Sequence, residues 1–318
     1  MSYVYITDYV ENPDIEKKVL GNSISKKINK DVKVLLAWHK KIDSSYLDNF
    51  PNLVGIVRYG VGIDSIDLEE IKKRKLILCN TPDYGVDEVS DTAVAMIMNI
   101  QRGISRYDYE CRDYKDSWEI NTISSLKRTS STNIGVIGAG IIGSSVIIKT
   151  RSIGFNVSFY DPFKESGYEK TLKVSRHYDL NSLLTTSDII SIHVPLNRET
   201  YGMVNKDFLS QMKKGASIIN TSRGNIIPDL NIIYEGLRSG QIGCVAFDVL
   251  ASEPPKNEEL IKVWRKRESS LSSRIIINPH TSYYSQESFI EMRKSASEVA
   301  KEILEGSKKP RNIILDAR

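Results

Sequence analysis

Two doubly wound parallel-sheet α/β domains are predicted for this chain on three observations. Short apolar runs alternate with amphipathic stretches of helix length, Gly, Asp and Asn stand directly after those runs, and 318 residues are enough for two packed cores. A single domain of this length would exceed the usual size of roughly 100–200 residues.

In chain order, the first strands are expected at Val4–Ile6, Val32–Trp38, Leu53–Tyr59 and Leu76–Asn80, with Asp14–Leu20 and Asp67–Lys73 as crossover helices. The parallel order that such crossovers impose requires a sheet covered on both faces. Gly60-Val-Gly62 and Pro82-Asp-Tyr-Gly85 follow strand ends, where open α/β sheets hold ligands. From Val86 to about Tyr114, the helical spacing of Val89, Ala93, Met96, Ile97 and Ile100 predicts one long helix leading out of the first sheet.

A second series begins at Ile134. Its strands are expected at Ile134–Ile137, Val157–Tyr160, Asp188–His193, Ala216–Asn220, Cys244–Phe247 and Arg274–Ile277, with Lys206–Met212 and Leu230–Arg238 as helices among them. Gln286–Leu304 is a Glu/Lys-laced helix that stops near Gly306 and Pro310. Two α/β halves leave a cleft between them as the natural place for a ligand.

Composition narrows the function classes. The 44 Lys+Arg against 40 Asp+Glu leave a formal charge of +4, dispersed too evenly for a nucleic-acid surface. The basic clusters Lys72–Lys75 and Lys308–Arg311 are short and read as solvated faces. Cys79, Cys111 and Cys244 are widely spaced without a CxxC, so neither a disulfide framework nor a metal site is expected; they read as buried thiols in a reducing compartment. Residues Met1 to Tyr9 carry no basic leader, and no segment approaches the roughly 18 apolar residues needed to cross a bilayer, so a cytoplasmic, membrane-free protein is expected.

The run Ile134-Gly-Val-Ile-Gly138-Ala-Gly140-Ile141-Ile142-Gly143 has GxGxxG spacing between a strand and a helix. In that position Gly138 makes a tight turn, Gly140 lets backbone approach a pyrophosphate, and Gly143 allows close helix–strand packing. The helix start offers unpaired N–H groups and the positive end of its dipole. Asp161 stands roughly 20 positions later, at the end of the next strand, where a carboxylate accepts from a ribose diol and repels a 2'-phosphate. NAD is therefore the expected cofactor, the alternative for Asp161 being a turn residue before Pro162.

Three later strand ends carry candidate acid–base groups: Asn220-Thr-Ser-Arg223-Gly224, Asp248 to Glu253-Pro-Pro255, and Asn278-Pro-His280. Reduction of a 2-oxo acid needs a cationic fork for carboxylate and carbonyl, together with an acid for the nascent alkoxide. Arg223 has the planar bidentate geometry that Lys lacks. His280 is the fitting acid, because an imidazole ordinarily titrates at about 6.5. Glu253, bonded to the other ring nitrogen, would orient that ring. Taken singly, an Arg or a His at such a place is more often structural. His193 is read as structural and His177 as solvent-facing.

These residues resemble a known family. Val57-Arg58-Tyr59-Gly60-Val61-Gly62-Ile-Asp64-Ser-Ile-Asp67, the Gly138 loop, His193-Val-Pro195-Leu196, Asn220-Thr221-Ser-Arg-Gly224, Asp248 to Pro255 and Pro279-His280 stand in the order of the D-isomer-specific 2-hydroxyacid dehydrogenases. Ala37-Trp-His39, Pro82 to Glu88 and His280 to Glu287 look similar to the branch that contains the C-terminal binding proteins.

The resemblance implies a Rossmann NAD-binding domain (103–285) inserted in a flavodoxin-like substrate domain (1–102 and 286–318), usually as a homodimer. It implies Arg223, Glu253 and His280 as the catalytic trio and Asp248 near the nicotinamide carboxamide, with Ile141, Ile142, Pro195 and Thr221 also along the cofactor. Amides of Val61 and Gly62 would receive the substrate carboxylate, with His39, Arg58, Tyr59, Gly60 and Tyr283 around it.

Departures are Ile141, where the family often has Arg, and Tyr283, where the similar branch has Trp. Pro228 and the basic segment Trp264–Ser273 also depart, without a functional account. Two other readings stay open: an NAD(H)-sensing dimeric interaction protein of the C-terminal-binding-protein type, and a phosphite enzyme. Glu253 disfavours a formate enzyme, in which an amide usually backs the His.

Overall fold

A computed structural model describes residues 3–8, 10–113, 118, 122–267 and 269–318. Met1, Ser2 and Tyr9 of the N-terminal segment, and Tyr114, where the long helix is expected to end, lie outside the described residues. The chain forms two compact units, Met1–Gly85 with Tyr283–Arg318, and Val86–Ser282.

The strands in chain order are β1 (Val4–Ile6), β2 (Ile24–Ser25), β3 (Val34–Ala37), β4 (Gly55–Arg58), β5 (Ile77–Cys79), β6 (Asn133–Ile137), β7 (Asn156–Tyr160), β8 (Ser175–His177), β9 (Ile189–Ile192), β10 (Ala216–Asn220), β11 (Ile242–Phe247), β12 (Ile275–Ile277) and β13 (Ile313–Asp316). In the first unit the sheet order is β13-β5-β4-β3-β1-β2. Strands β1 to β5 pair in parallel, in the 2-1-3-4-5 order of flavodoxin-like sheets. The order reverses between β1 and β3.

The helix Gln286–Leu304 covers one face through Met292, Ala296, Val299, Ala300 and Ile303, which meet Val34, Leu36, Val57 and Ile77. That helical spacing puts one apolar stripe on the sheet. Ser285 caps the helix, with Ser288 closing a reciprocal box. Past Gly306 the chain returns as β13, antiparallel to β5, and so breaks the all-parallel expectation at one edge.

The second unit has the order β12-β11-β10-β9-β6-β7-β8, parallel throughout. Counted from β6, the order is 3-2-1-4-5-6 with a seventh strand added, the Rossmann arrangement. Every residue of β9 and β10 is buried, as central strands of a sheet covered on both faces require. The switch point falls between β6 and β9.

Several expectations need correction. The long helix is two: Val86–Arg102 ends at Gly103, held left-handed at φ 64°, and Ile104–Glu110 follows. Asn99 fixes the break, its Oδ1 accepting from the Ser105 amide at 3.0 Å. The first of these helices packs in the second unit, where Lys149 on the helix Ile141–Ile153 pairs with Asp87 at 3.2 Å and Asp91 at 2.7 Å. The chain therefore changes units at Gly85/Val86 and again at Ser282/Tyr283, earlier in both places than the expected boundaries. Cys79 and Cys244 are buried, but Cys111 is only partly so. His177 is half-buried, its Nδ1 sharing a 2.8 Å hydrogen bond with Ser182 Oγ. Among the described residues no helix is long and apolar enough to cross a membrane.

Candidate active site

At the switch point of the second unit the glycine loop leaves β6 and enters the helix Ile141–Ile153. Gly138 has φ 88°, and a methyl there would meet the His193 carbonyl at 2.5 Å. A methyl on Gly143 would strike the Gly138 carbonyl, so strand, loop and helix close up only with glycine at both places. Gly140 caps the helix and faces open space, which leaves the first-turn amides of Ile141, Ile142 and Gly143 available to an anion. Ile141 is 62% exposed there.

Asp161 takes the turn role weighed for it. Its Oδ1 accepts from the Phe163 amide at 2.9 Å as a turn residue, and its Oδ2 accepts from the Ala139 amide at 2.9 Å, tying the glycine loop to the end of β7. Each carboxylate oxygen keeps a further lone pair for a ribose hydroxyl. Pro195 is exposed, and its carbonyl accepts from Thr200 Oγ1 at 2.6 Å. Thr221 is buried, and its hydroxyl has no partner among the described residues. An orphaned buried hydroxyl and an open helix start, each following a strand of the same sheet, fit a bound dinucleotide.

His193 behaves as a structural residue. Its Nε2 shares a 2.7 Å hydrogen bond with Ser191 Oγ, and desolvation pushes the imidazole down to about 4. Because the folded value lies below the ordinary 6.5, the unfolded chain takes up the proton first. The stabilisation is therefore present above about pH 6.5 and is lost as the pH falls towards 4. We expect roughly 2–3 kcal/mol of acid-linked destabilisation in the wild type over that window, largely absent from His193→Gln. Denaturant melts at both ends of the window check this; equal losses in both proteins would remove the attribution.

Glu253 and His280 meet after the neighbouring strands β11 and β12. Glu253 Oε2 lies 2.7 Å from His280 Nδ1, with the two side chains 39% and 41% exposed. Glu253 Oε1 accepts from the Leu250 amide at 2.9 Å. Burial pushes the Glu253 carboxyl up, but the hydrogen bonds from His280 and Leu250 and the charges of His280 and Arg223 outweigh it, leaving the group below its ordinary value.

His280 itself sits at φ 56°, a left-handed conformation costing a non-glycine residue about 1 kcal/mol. Asp248 holds it there. The His280 amide donates to the Asp248 carbonyl at 2.8 Å, and the buried Asp248 carboxylate accepts from the Thr281 amide at 3.0 Å and the Ser282 amide at 3.2 Å.

Arg223 follows β10, its turn shaped by a residue that motif reading left without a role. Asn220 Oδ1 accepts from the Ser222 amide at 3.0 Å, while its Nδ2 donates to the Arg223 carbonyl at 3.0 Å. The next residue, Gly224, crosses the backbone of Leu250 and Ala251 so closely that a methyl would strike both. That crossing brings the Arg223 charge within reach of Glu253.

In the first unit the remaining candidates gather at the ends of β3, β4 and β5. The His39 amide donates to Asp8 Oδ2 at 3.0 Å, and its ring stacks on Trp38 with centroids 5.2 Å apart. Tyr283 meets Trp38 and Tyr84 edge-on at 6.4 and 6.2 Å. Gly60 lies beside the Arg58 guanidinium and the Tyr84 hydroxyl. Val61 is 45% exposed, and Gly62 is partly exposed. The Tyr59 side chain does not join this group: it is fully buried and donates to Glu16 Oε1 at 2.9 Å, so its part is structural.

Comparison with known proteins bears on both units. A family model for the NAD-binding domain of D-isomer specific 2-hydroxyacid dehydrogenases matches residues 94–282. A glyoxylate reductase of Korarchaeum cryptofilum is 31% identical over 260 residues, 81% of this chain and 75% of its own. One from Thermococcus litoralis is 33% identical over 245 residues, 76% of this chain and 70% of its own. The crystal structure of D-lactate dehydrogenase from Aquifex aeolicus with NAD and lactic acid superposes with a TM-score of 0.83 at 25% identity, covering 98% of this chain and 99% of that one.

Proposed function

The chain belongs to the D-isomer-specific 2-hydroxyacid dehydrogenases and is an NAD-dependent enzyme of that class; from that premise we propose that it reduces small 2-oxo acids, glyoxylate among them, with His280 as proton donor and Arg223 as anchor. The observation that carries this reading is the Glu253–His280 pair, 2.7 Å apart, with the charge of Arg223 acting on it.

The residues suited to hold NAD are the Gly140–Gly143 turn for the pyrophosphate, Asp161 for the ribose diol, and Thr221, Pro195 and Asp248 further along. Asp161 disfavours a 2'-phosphate by charge. When bound, NADH supplies the hydride for the substrate's carbonyl carbon. His280 gives its proton to the carbonyl oxygen and regains one from solvent for the next turnover.

Glu253, already held by the Leu250 amide, orients the imidazole and offsets its positive charge. Arg223 offers two parallel N–H donors to the carboxylate and carbonyl oxygens. The substrate carboxylate is also assigned to the amides of Val61 and Gly62, with His39, Arg58 and Tyr283 around the substrate. The proposal includes the family's homodimeric, cytoplasmic habit.

The test is NADH consumption by the wild type against glyoxylate, pyruvate, hydroxypyruvate and phenylpyruvate, with NAD reduction by phosphite as a separate arm. Turnover of at least one 2-oxo acid is expected, and Arg223→Lys should raise KM by roughly 10–100-fold through loss of the bidentate contact. No turnover of any 2-oxo acid, or turnover of phosphite alone, would overturn the assignment.

A further inference from the structure

We propose that Asn80 and Thr81 are positioning residues which turn the amides of Val61 and Gly62 outward as a paired receptor for the substrate carboxylate. The inference deepens the reading above and rests on it.

Asn80 and Thr81 follow β5 and are 3% and 0% exposed, so every polar atom they carry needs a partner. Their side-chain partners lie at the end of β4 and in the loop after it, while the Asn80 amide donates to the Asn312 carbonyl at 3.2 Å. Thr81 Oγ1 accepts from the Gly60 amide at 2.5 Å and donates to the Arg58 carbonyl at 3.3 Å. The Thr81 amide donates to the Gly60 carbonyl at 3.2 Å. Asn80 Nδ2 donates to the Val61 carbonyl at 2.9 Å.

A trans peptide fixes the consequence, because its C=O and N–H point in opposite directions. With the Gly60 carbonyl bound by the Thr81 amide, the Val61 N–H faces away from Thr81. With the Val61 carbonyl bound by Asn80, the Gly62 N–H faces away from Asn80. Among the described residues neither N–H donates to any group, and Val61 is 45% exposed. Gly60, at φ 107°, supplies the turn that makes both inward bonds possible. Two successive outward amides form a concave anion receptor of the kind that backbone nests provide. The role falls on buried residues that never touch the ligand, which is why the substrate loop's own sequence does not disclose it.

The experiment compares Asn80→Asp, which replaces the donor with an acceptor at nearly constant shape, Thr81→Val, which removes the hydroxyl, and Thr81→Ser, which restores it. KM for glyoxylate and Kd for oxamate in the presence of NADH are read alongside Kd for NADH alone. Asn80→Asp and Thr81→Val are expected to raise KM and the oxamate Kd by roughly 10–100-fold, with the NADH Kd within about twofold of wild type. Thr81→Ser should recover most of the loss.

If Asn80→Asp does not fold, the Thr81 pair decides alone. Oxamate affinity unchanged in Thr81→Val, or a Thr81→Ser protein as impaired as Thr81→Val, would overturn the inference. A wild type that turns over no 2-oxo acid overturns the functional reading and this one with it; a wild type that turns one over while the variants bind oxamate normally overturns this one alone.

Discussion

His280→Ala is expected to lower kcat for 2-oxo acid reduction by about 10²–10⁴-fold, with NADH affinity retained. The separation follows from where the groups sit: the imidazole is fixed by Glu253 and the Asp248 turn, whereas the open helix start that suits the phosphates lies at the end of β6. Glu253→Gln should cost less alone, since an amide can still bond Nδ1, and should add little in the His280→Ala background, because the two act as a unit.

The depressed Glu253 value sets the pH window. This carboxyl stays ionised to lower pH than a free one, so its contribution is full above the ordinary 4.5 and fades only as the pH falls through its lowered folded value. Steady-state kcat across the four proteins of that cycle decides the point; His280→Ala activity within about tenfold of wild type would remove the imidazole from the proton transfer.

Much of the fold and of the candidate site was legible because the candidate groups follow strand ends. Isoleucine-rich runs such as Ile189–Ile192 and Ala216–Asn220 betray a two-sided parallel sheet, and the residue after each run then falls at the ligand edge. Edge strands do not advertise themselves in this way. Ile24–Ser25 and Ser175–His177 are too short to show a period, and Ile313–Asp316 pairs by backbone while leaving its apolar residues half in water.

Two readings failed through partners that spacing cannot reveal. Tyr59 stands in a ligand loop by sequence, yet its ring is claimed by a fully buried Glu16, which also takes a bidentate contact from Arg293 at 2.8 and 2.6 Å. The helix from Val86 keeps apolar spacing through Ile100, but Gly103 takes the left-handed conformation that the Asn99–Ser105 bond requires. The sequence names Glu253 as a partner for the His280 ring across 27 residues, and the pairing becomes physical once β11 and β12 lie side by side.

Gly224→Ala is expected to lower kcat/KM by about 10²-fold or more and to destabilise the chain by several kcal/mol, although the methyl touches neither substrate nor cofactor. The added carbon would overlap the Leu250 carbonyl and the Ala251 nitrogen. These are backbone atoms that no rotamer change can move aside, so one of the two loops must retreat. If the Leu250 segment yields, the Leu250 amide leaves Glu253 Oε1, and the carboxylate that holds His280 loses its own anchor. If the other side yields, Asn220 can no longer hold the Arg223 carbonyl, and the guanidinium moves away from the pair. Either retreat separates the three groups while leaving the glycine loop of β6 intact, so NADH binding should weaken far less than kcat/KM wherever the protein folds. Parallel measurement of kcat/KM, NADH Kd and thermal melting checks this. A Gly224→Ala enzyme with near-normal kcat/KM would mean that the tight crossing does not set the distance between Arg223 and Glu253.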